Sequence, residues 1–242
     1  YARNIGLSHA RGKWIIFADA DDFFTANCFT ILNEYMDSPH KVIYFNVRFV
    51  MSDDPSQESR RGTYYTNFFN DVNPENKLRY QSQVPWGKMI RRSFLSTFHI
   101  QFDETRIAND VYFSCLVGIY APKVTTDRRI IYYCTESDQS LAMSKQDRES
   151  LIIRFNASMK CNRLLRQEKI HYYLSPLPWC IPSAKTKEWL PAKYFFEYLF
   201  FFRLQAFKEL YYAFSAILSH MNEPATKETD NQCNKKTTNL RE

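Results

Sequence analysis

An open α/β sheet flanked by helices, continuing into a helical C-terminal extension, is the fold that this 242-residue sequence predicts. Three observations carry that expectation. The apolar run Trp14, Ile15, Ile16, Phe17 and Ala18 ends abruptly at Asp19, Asp21 and Asp22, as a strand of a parallel sheet covered on both faces would when it delivers polar side chains at its C-terminal end. Strand-like and helix-like patterns then alternate to about residue 145. Beyond Lys145 long helical patterns take over, interrupted at "YLSPLPWCIPSAK", whose prolines break a helix.

The elements follow in order. Ile5, Leu7 and Ala10 suit a short helix, and Gly12 stands where it would stop. After the strand at 14–18, Thr25 reads as the N-cap of a helix in which Cys28, Ile31, Leu32, Tyr35 and Met36 recur at helical spacing. "KVIYFNVRFVM" is a second strand, and the polar residues 52–62 form a loop or hairpin connection. Residues 63–83 are mixed and give only weak signals. "VPWGKMIRRSFL" reads as a strand entering a short helix, "DVYFSCLVGIYA" as an amphipathic helix, and "RRIIYYCTESDQS" as a strand leading into a polar loop. The segment 192–220 is helical in propensity and very aromatic, with charges spaced through it. The final residues, 221–242, lack periodicity and are expected to be disordered.

Composition narrows the function. A hydrophobic share of 45% supports a sizeable core, and the 20 Phe, 16 Tyr and 4 Trp give an aromatic share of 17%, with a dense run at 194–214. The net charge of +6 is not clustered, which argues against a nucleic-acid footprint. An anionic membrane surface or a phosphorylated ligand suits it as well. The six cysteines form no CxxC pair and several sit in apolar periodic segments, so buried thiols and a cytosolic compartment are expected. The five histidines show no metal-binding spacing, and no apolar run is long enough to span a membrane. Opening on Tyr1 in mid-helix, without a cap, the chain reads as an N-terminally incomplete piece.

The chemistry sits in the acidic stretch. Crowded carboxylates repel one another unless a cation or a hydrogen-bonding partner sits among them. In an extended chain Asp19 and Asp21 point to the same side, and hard cations such as Mg²⁺ or Mn²⁺ bind one or two such carboxylates and complete their shell with substrate phosphates and water. The alternative is that Asp21 and Asp22 open a turn and cap the next helix. The short motif alone leaves both readings open.

A longer run decides between them. "ARNIGLSHARGKWIIFADADDFF" closely resembles the A-R-N-x-G to D-x-D-D segment of glycosyltransferase family 2, inverting enzymes with a GT-A fold. Ala2, Arg3, Asn4, Gly6, Ala10, Gly12, Ile15, Phe17, Asp19, Asp21 and Asp22 occupy matching places. "VPWGKMIRRSFL" resembles the W-x-K stretch of members that build capsular and other surface polysaccharides, and "FDETRIANDVYF" stands where the family has an acidic Glu-Asp pair. The resemblance covers roughly residues 1–145. It implies a GT-A-like, Rossmann-like mixed sheet that is incomplete at its N-terminus, lacking the nucleotide-binding half, so that these 242 residues are expected to be inactive by themselves. The domain division it suggests is a transferase part at 1–145, a helical extension at 146–220 that meets a membrane surface, and the tail 221–242.

The same resemblance assigns roles. Asp21 is the expected metal ligand, with Asp19 beside it touching the metal or the ribose, and the metal is Mg²⁺ or Mn²⁺. Arg3, Asn4 and Asp19 are candidate donor contacts, although Arg3 suits a carboxylate partner equally. Asp110 matches the general base that takes the acceptor's proton. Its neighbour is Asn109 where the family has Glu, and losing that like charge predicts a lower pKa for Asp110 than in relatives. Trp86, Lys88 and Asn109 are candidate acceptor-side contacts. Trp86 also suits the core, and Lys88 a solvated strand. The implied partners are a nucleotide-sugar donor, a glycan or lipid-linked acceptor and a peripheral contact with the inner face of the cell membrane, with no nucleic acid. Two rivals differ in class. A haloacid dehalogenase-type phosphatase also places D-x-D after an apolar strand, but it needs Thr or Val two residues past the second Asp, where Phe23 stands. A non-catalytic membrane-surface protein derived from a transferase is the other.

Overall fold

A computed structural model describes residues 1–59, 61–136, 147–180, 190–203 and 210–211, the side chains of 61–64 excepted. The loop expected at 137–146, part of the Pro-rich break, most of 204–220 and the tail 221–242 lie outside the described residues. The chain divides into two compact units, residues 1–195 and 196–242.

In the first unit the chain runs through α1 (Ala2–His9), β1 (Trp14–Ile15), β2 (Phe23–Phe24), α2 (Cys28–Asn33), β3 (Val42–Met51), α3 (Arg61–Phe69), α4 (Pro74–Gln81), β4 (Lys88–Arg91), α5 (Arg92–Thr97), α6 (Asn109–Tyr120), β5 (Val124–Glu136), α7 (Arg148–Gln167) and the short α8 (Leu177–Cys180). A further helix, α9 (Ala192–Phe202), runs on into the second unit. Among the described residues the strands form one sheet in the order β1-β4-β3-β5-β2. It is mixed, as expected: β3 and β5 are parallel, and every other pairing is antiparallel. The boundary expected at 145/146 falls inside the first unit, where Val111 and Cys115 of α6 pack against Cys161 and Leu165 of α7.

β3 is the spine of the sheet because Val42, Ile43, Tyr44 and Phe45 are completely buried, with sheet neighbours on both edges and helices around them. Burial of such side chains contributes about 1.5–3 kcal/mol each, and the core is rich in aromatic rings. Phe102 and Phe113, for example, stack with centroids 3.9 Å apart. Two expectations are corrected at the start of the chain. The strand placed at 14–18 is reduced to Trp14–Ile15, which pairs only with β4, antiparallel and at the sheet edge. Phe17 packs edge-on against Phe102 and Phe113 at 5.0 and 5.4 Å, and that pull takes the chain out of the ladder before the aspartates. Thr25 does not cap α2, whose N-cap is Asn27; its hydroxyl and N–H donate instead to Ile130 and Ile131 carbonyls of β5.

Two glycines are required by close approach. Gly118 in α6 lies against α4 so tightly that a Cβ there would stand 1.9 Å from the Arg79 carbonyl oxygen. Arg79 in turn donates to the Gly118 and Ala121 carbonyls, satisfying acceptors that the C-terminus of α6 leaves free. Gly87, at φ +66°, lies against Val47 and Tyr65, where a Cβ would meet Val47 at 2.7 Å.

Candidate functional site

The site begins at the turn that follows β1. Tyr132, fully buried in β5, donates its hydroxyl hydrogen to Asp22 Oδ2 at 2.7 Å, and its oxygen accepts the Asp19 N–H at 2.8 Å. The Thr135 N–H donates to Asp22 Oδ1 at 2.8 Å, and the Thr135 hydroxyl donates to the Asp21 carbonyl at 2.9 Å. Asp22 is thus a structural clamp on β5. Burial raises its carboxyl, with the Tyr132 and Thr135 hydrogen bonds opposing.

Asp19 is held differently. An Arg3 nitrogen, Nη2, donates to Asp19 Oδ1 at 2.6 Å while its Nη1 donates to Asn109 Oδ1 at 2.9 Å, and the guanidinium lies 5.5 Å from the centre of the Phe102 ring. Arg3 therefore bridges the strand tip to the N-terminus of α6. Of the two sequence readings of Arg3, this is the carboxylate pairing. Asn4 spends both amide atoms on the backbone of Phe102, donating to its carbonyl at 3.0 Å and accepting its N–H at 2.8 Å. That clamp docks α1 beside α6.

A cleft of about 660 Å³ opens where these elements meet. Arg3, Asp19, Asn109 and Asp110 border it together, Trp86 forms part of its wall, and Asn4 stands outside its lining. Asp110 lies in the first turn of α6, behind Ala108, which adopts the left-handed conformation at φ 52° and offers no side-chain cap. A helix N-terminus favours a negative charge at that position. Even so, burial pushes the Asp110 carboxyl up; its own backbone N–H, Arg3 and Lys88 pull it down, and Asp19 pushes it up again. The missing Glu neighbour removes one charge that would raise it, while burial is the largest of the effects acting on it and raises it.

Trp86 is buried against Phe49, Tyr65 and Tyr132, so it serves the core and the cleft wall at once. Lys88 corrects the solvated-strand reading. It is completely buried, donates to the Ser82 carbonyl at 2.9 Å and does not border the cleft. Sequence reasoning missed further residues that do. Arg106 lines the cleft and is anchored to the start of α7 through Asp147 and Ser150, at 2.7 and 2.9 Å. Arg154 of α7 and Trp179 of α8 complete that side, with the guanidinium 5.2 Å from the ring centre. The Arg three residues before Asn109 was a local signal; Arg154 and Trp179 lie beyond the family pattern and carried none.

Asp21 is exposed and lies outside the cleft lining, and among the described residues its carboxylate has no hydrogen-bond or ion-pair partner. Among those residues no three His, Cys, Asp or Glu side chains gather closely enough to hold a metal ion. The donor set therefore does not form an all-protein cage. One free hard carboxylate at Asp21, with Asp19 two residues away, suits an ion that takes most of its shell from a diphosphate and water.

The family model described as glycosyl transferase family 2 matches residues 1–98. Among solved structures, S. aureus TarS 1-349 in complex with UDP-GlcNAc is similar at a TM-score of 0.52 and 17% identity, over 69% of this chain and 50% of that one. The same protein in complex with UDP gives 0.48 and 19% identity, over 73% of this chain and 46% of that one. This chain thus spans about half the length of those relatives, and at such identity the likeness is one of fold, drawn from the first comparison. No curated protein matches the chain. Residues 1–98 match the family 2 glycosyl transferase model, and the architecture around them is similar to that of a GT-A glycosyltransferase.

Proposed function

We propose that the enzyme these 242 residues form, or form part of, transfers a sugar from a nucleoside diphosphate donor to an acceptor hydroxyl with inversion, in the synthesis of a surface polysaccharide. The observation that carries this reading is that Asp19 and Asp110, from separate elements, border one cleft, where Arg3 ties Asp19 to Asn109, the residue before Asp110. A sugar hydroxyl is a weak nucleophile at neutral pH, and a positioned carboxylate that takes its proton is worth about 10²–10⁴ in rate. Asp110 fills that role. As the acceptor oxygen bonds to the anomeric carbon, its proton passes to an Asp110 carboxylate oxygen, and the bond to the diphosphate breaks with its electron pair on the departing oxygen. Arg3 keeps Asp19 and the start of α6 in register while this happens.

Asp21 and Asp19 are the residues that would hold Mg²⁺ or Mn²⁺, which when bound offsets the charge on the leaving diphosphate. Because S. aureus TarS was crystallised with UDP-GlcNAc, a UDP-sugar is the first donor to test. Release of UDP from UDP-GlcNAc should require Mn²⁺ and fall sharply in Asp21→Ala. Phosphate release from p-nitrophenyl phosphate, with no nucleotide released, would favour the phosphatase reading instead.

The acceptor is proposed to be lipid-linked and met at the cytoplasmic face of a membrane. Support comes from α9, which leaves Phe196 and Phe200, one turn apart, 66% and 78% exposed. Aromatic residues presented on a helix in this way suit the membrane interface. Cosedimentation with vesicles containing anionic lipid should weaken several-fold when both are changed to Ser; equal binding by the variant would rule out a membrane contact through this face.

A further inference from the structure

The side of the cleft that α7 and α8 supply is tied to the rest of the fold at both ends. α7 opens on Asp147, whose carboxylate accepts the Ser150 N–H at 2.8 Å, and Arg106 fastens that turn to the loop before α6 by donating to Asp147 and to the Ser150 hydroxyl at 2.7 and 2.9 Å. Farther along, Asn162 clamps the returning chain: its side chain donates to the Leu174 carbonyl at 2.7 Å and accepts the Leu174 N–H at 2.8 Å. Gln81 of α4, itself a cleft residue, donates to the neighbouring Tyr173 carbonyl at 3.0 Å. From that double tie the chain enters α8, where Leu177 and Cys180 are buried and Trp179, half-buried, borders the cleft.

Arg154 follows Ser150 by one turn of α7, so the two share a face. Arg106 reaches that same face through Ser150, and both guanidiniums border the cleft. The Arg154 guanidinium lies over the Trp179 indole, 5.2 Å from the ring centre. Arg106 is offset by Asp147 and Glu149, at 2.7 and 3.4 Å, but neither of those carboxylates borders the cleft. The acids that do are Asp19 and Asp110, from the turn after β1 and from α6. Among the described residues, then, this side offers the cleft two guanidiniums, an indole and no acid.

A pyranose can lay its C–H face on an aromatic ring while its hydroxyls stay available for hydrogen bonds. A guanidinium meets a carboxylate or phosphate through two parallel N–H donors, a geometry that an ammonium cannot reproduce. We infer that this side is the acceptor subsite and that it selects an acidic acceptor: a sugar packed on Trp179, its carboxylate or phosphate taken by Arg154 with Arg106 beside it, and its free hydroxyl directed to Asp110. Calling the ligand an acceptor rests on the proposed glycosyl transfer; recognition of an acidic sugar by Arg154 and Trp179 does not.

Binding to the 242-residue chain tests this without turnover. The Trp179 indole N–H resonance, identified by its loss in Trp179→Phe, is followed during titration with methyl glucuronide, with methyl glucoside phosphorylated on its primary hydroxyl, and with unmodified methyl glucoside. At least one of the two acidic sugars should shift it and bind about five-fold or more tightly than the neutral one, and the stronger of the two names the anion. Arg154→Gln should abolish that preference, and Arg154→Lys should keep part of it. Equal binding of acidic and neutral sugars, a preference that survives Arg154→Gln, or a Trp179 resonance that none of the three moves would overturn the inference, and would leave the proposal of glycosyl transfer standing. Conversely, a selective site in a protein that proves to transfer no sugar would refute that proposal and leave the recognition intact.

Discussion

Tyr132 and Lys88 carry the consequences at the scale of single residues. The Tyr132 hydroxyl serves two partners in the acidic turn, the Asp19 N–H and the Asp22 carboxylate, from a completely buried position. Tyr132→Phe leaves both groups short of a partner and should destabilise the fold by about 2 kcal/mol, as losses of hydrogen bonds to charged groups do. Denaturant unfolding would read this, and a change under about 0.5 kcal/mol would mean that the turn is held elsewhere. Lys88 should act in the opposite sense. Its folded-state pKa lies below the unfolded value of about 10.4, so folding expels its proton and stability declines as pH falls from that value toward about 7. Lys88→Met should therefore match or exceed the wild-type melting temperature at pH 7, with its advantage shrinking as pH rises toward about 10. An advantage that grows with pH would contradict the sign. Neither role was legible from sequence. Asp22 and Tyr132 are 110 residues apart, and a lysine on a short strand is ordinarily solvated, so its burial depends on tertiary packing that no local pattern encodes.

At the scale of elements, α6 matters most because it presents Asp110 at one end and is fixed by α4 at the other. Gly118→Ala would drive a methyl group into the Arg79 backbone and should cost about 3 kcal/mol or more, with activity falling as Asp110 shifts. A variant that melts within a degree or two of wild type would show that the contact between α4 and α6 yields easily. The elements with strong periodicity were legible: β3, β4 leading into α5, α6 and β5 all stand where apolar spacing placed them. The helices α3 and α4 emerged in the mixed stretch that spacing could not resolve, because only a few of their residues, such as Tyr65, Phe68 and Leu78, face the core. The short β1 departed from expectation through a tertiary effect, the capture of Phe17 by Phe102 and Phe113.

At the scale of the molecule, the first compact unit joins the family segment to α7 and α8, and the cleft draws on both. Arg106 illustrates the joint, since it borders the cleft while holding the N-terminal cap of α7. The family pattern pointed to Asp19 and Asp110, which the fold brings to one cleft, but it could not show that residues beyond 145 close one side. The decisive measurement is sugar transfer by Asp110→Asn, made beside donor binding on the same protein with Mn²⁺ present. Donor binding should stay within a few-fold of wild type while transfer drops by about 10²–10⁴. Transfer at the wild-type rate would contradict the assignment of Asp110 as the base.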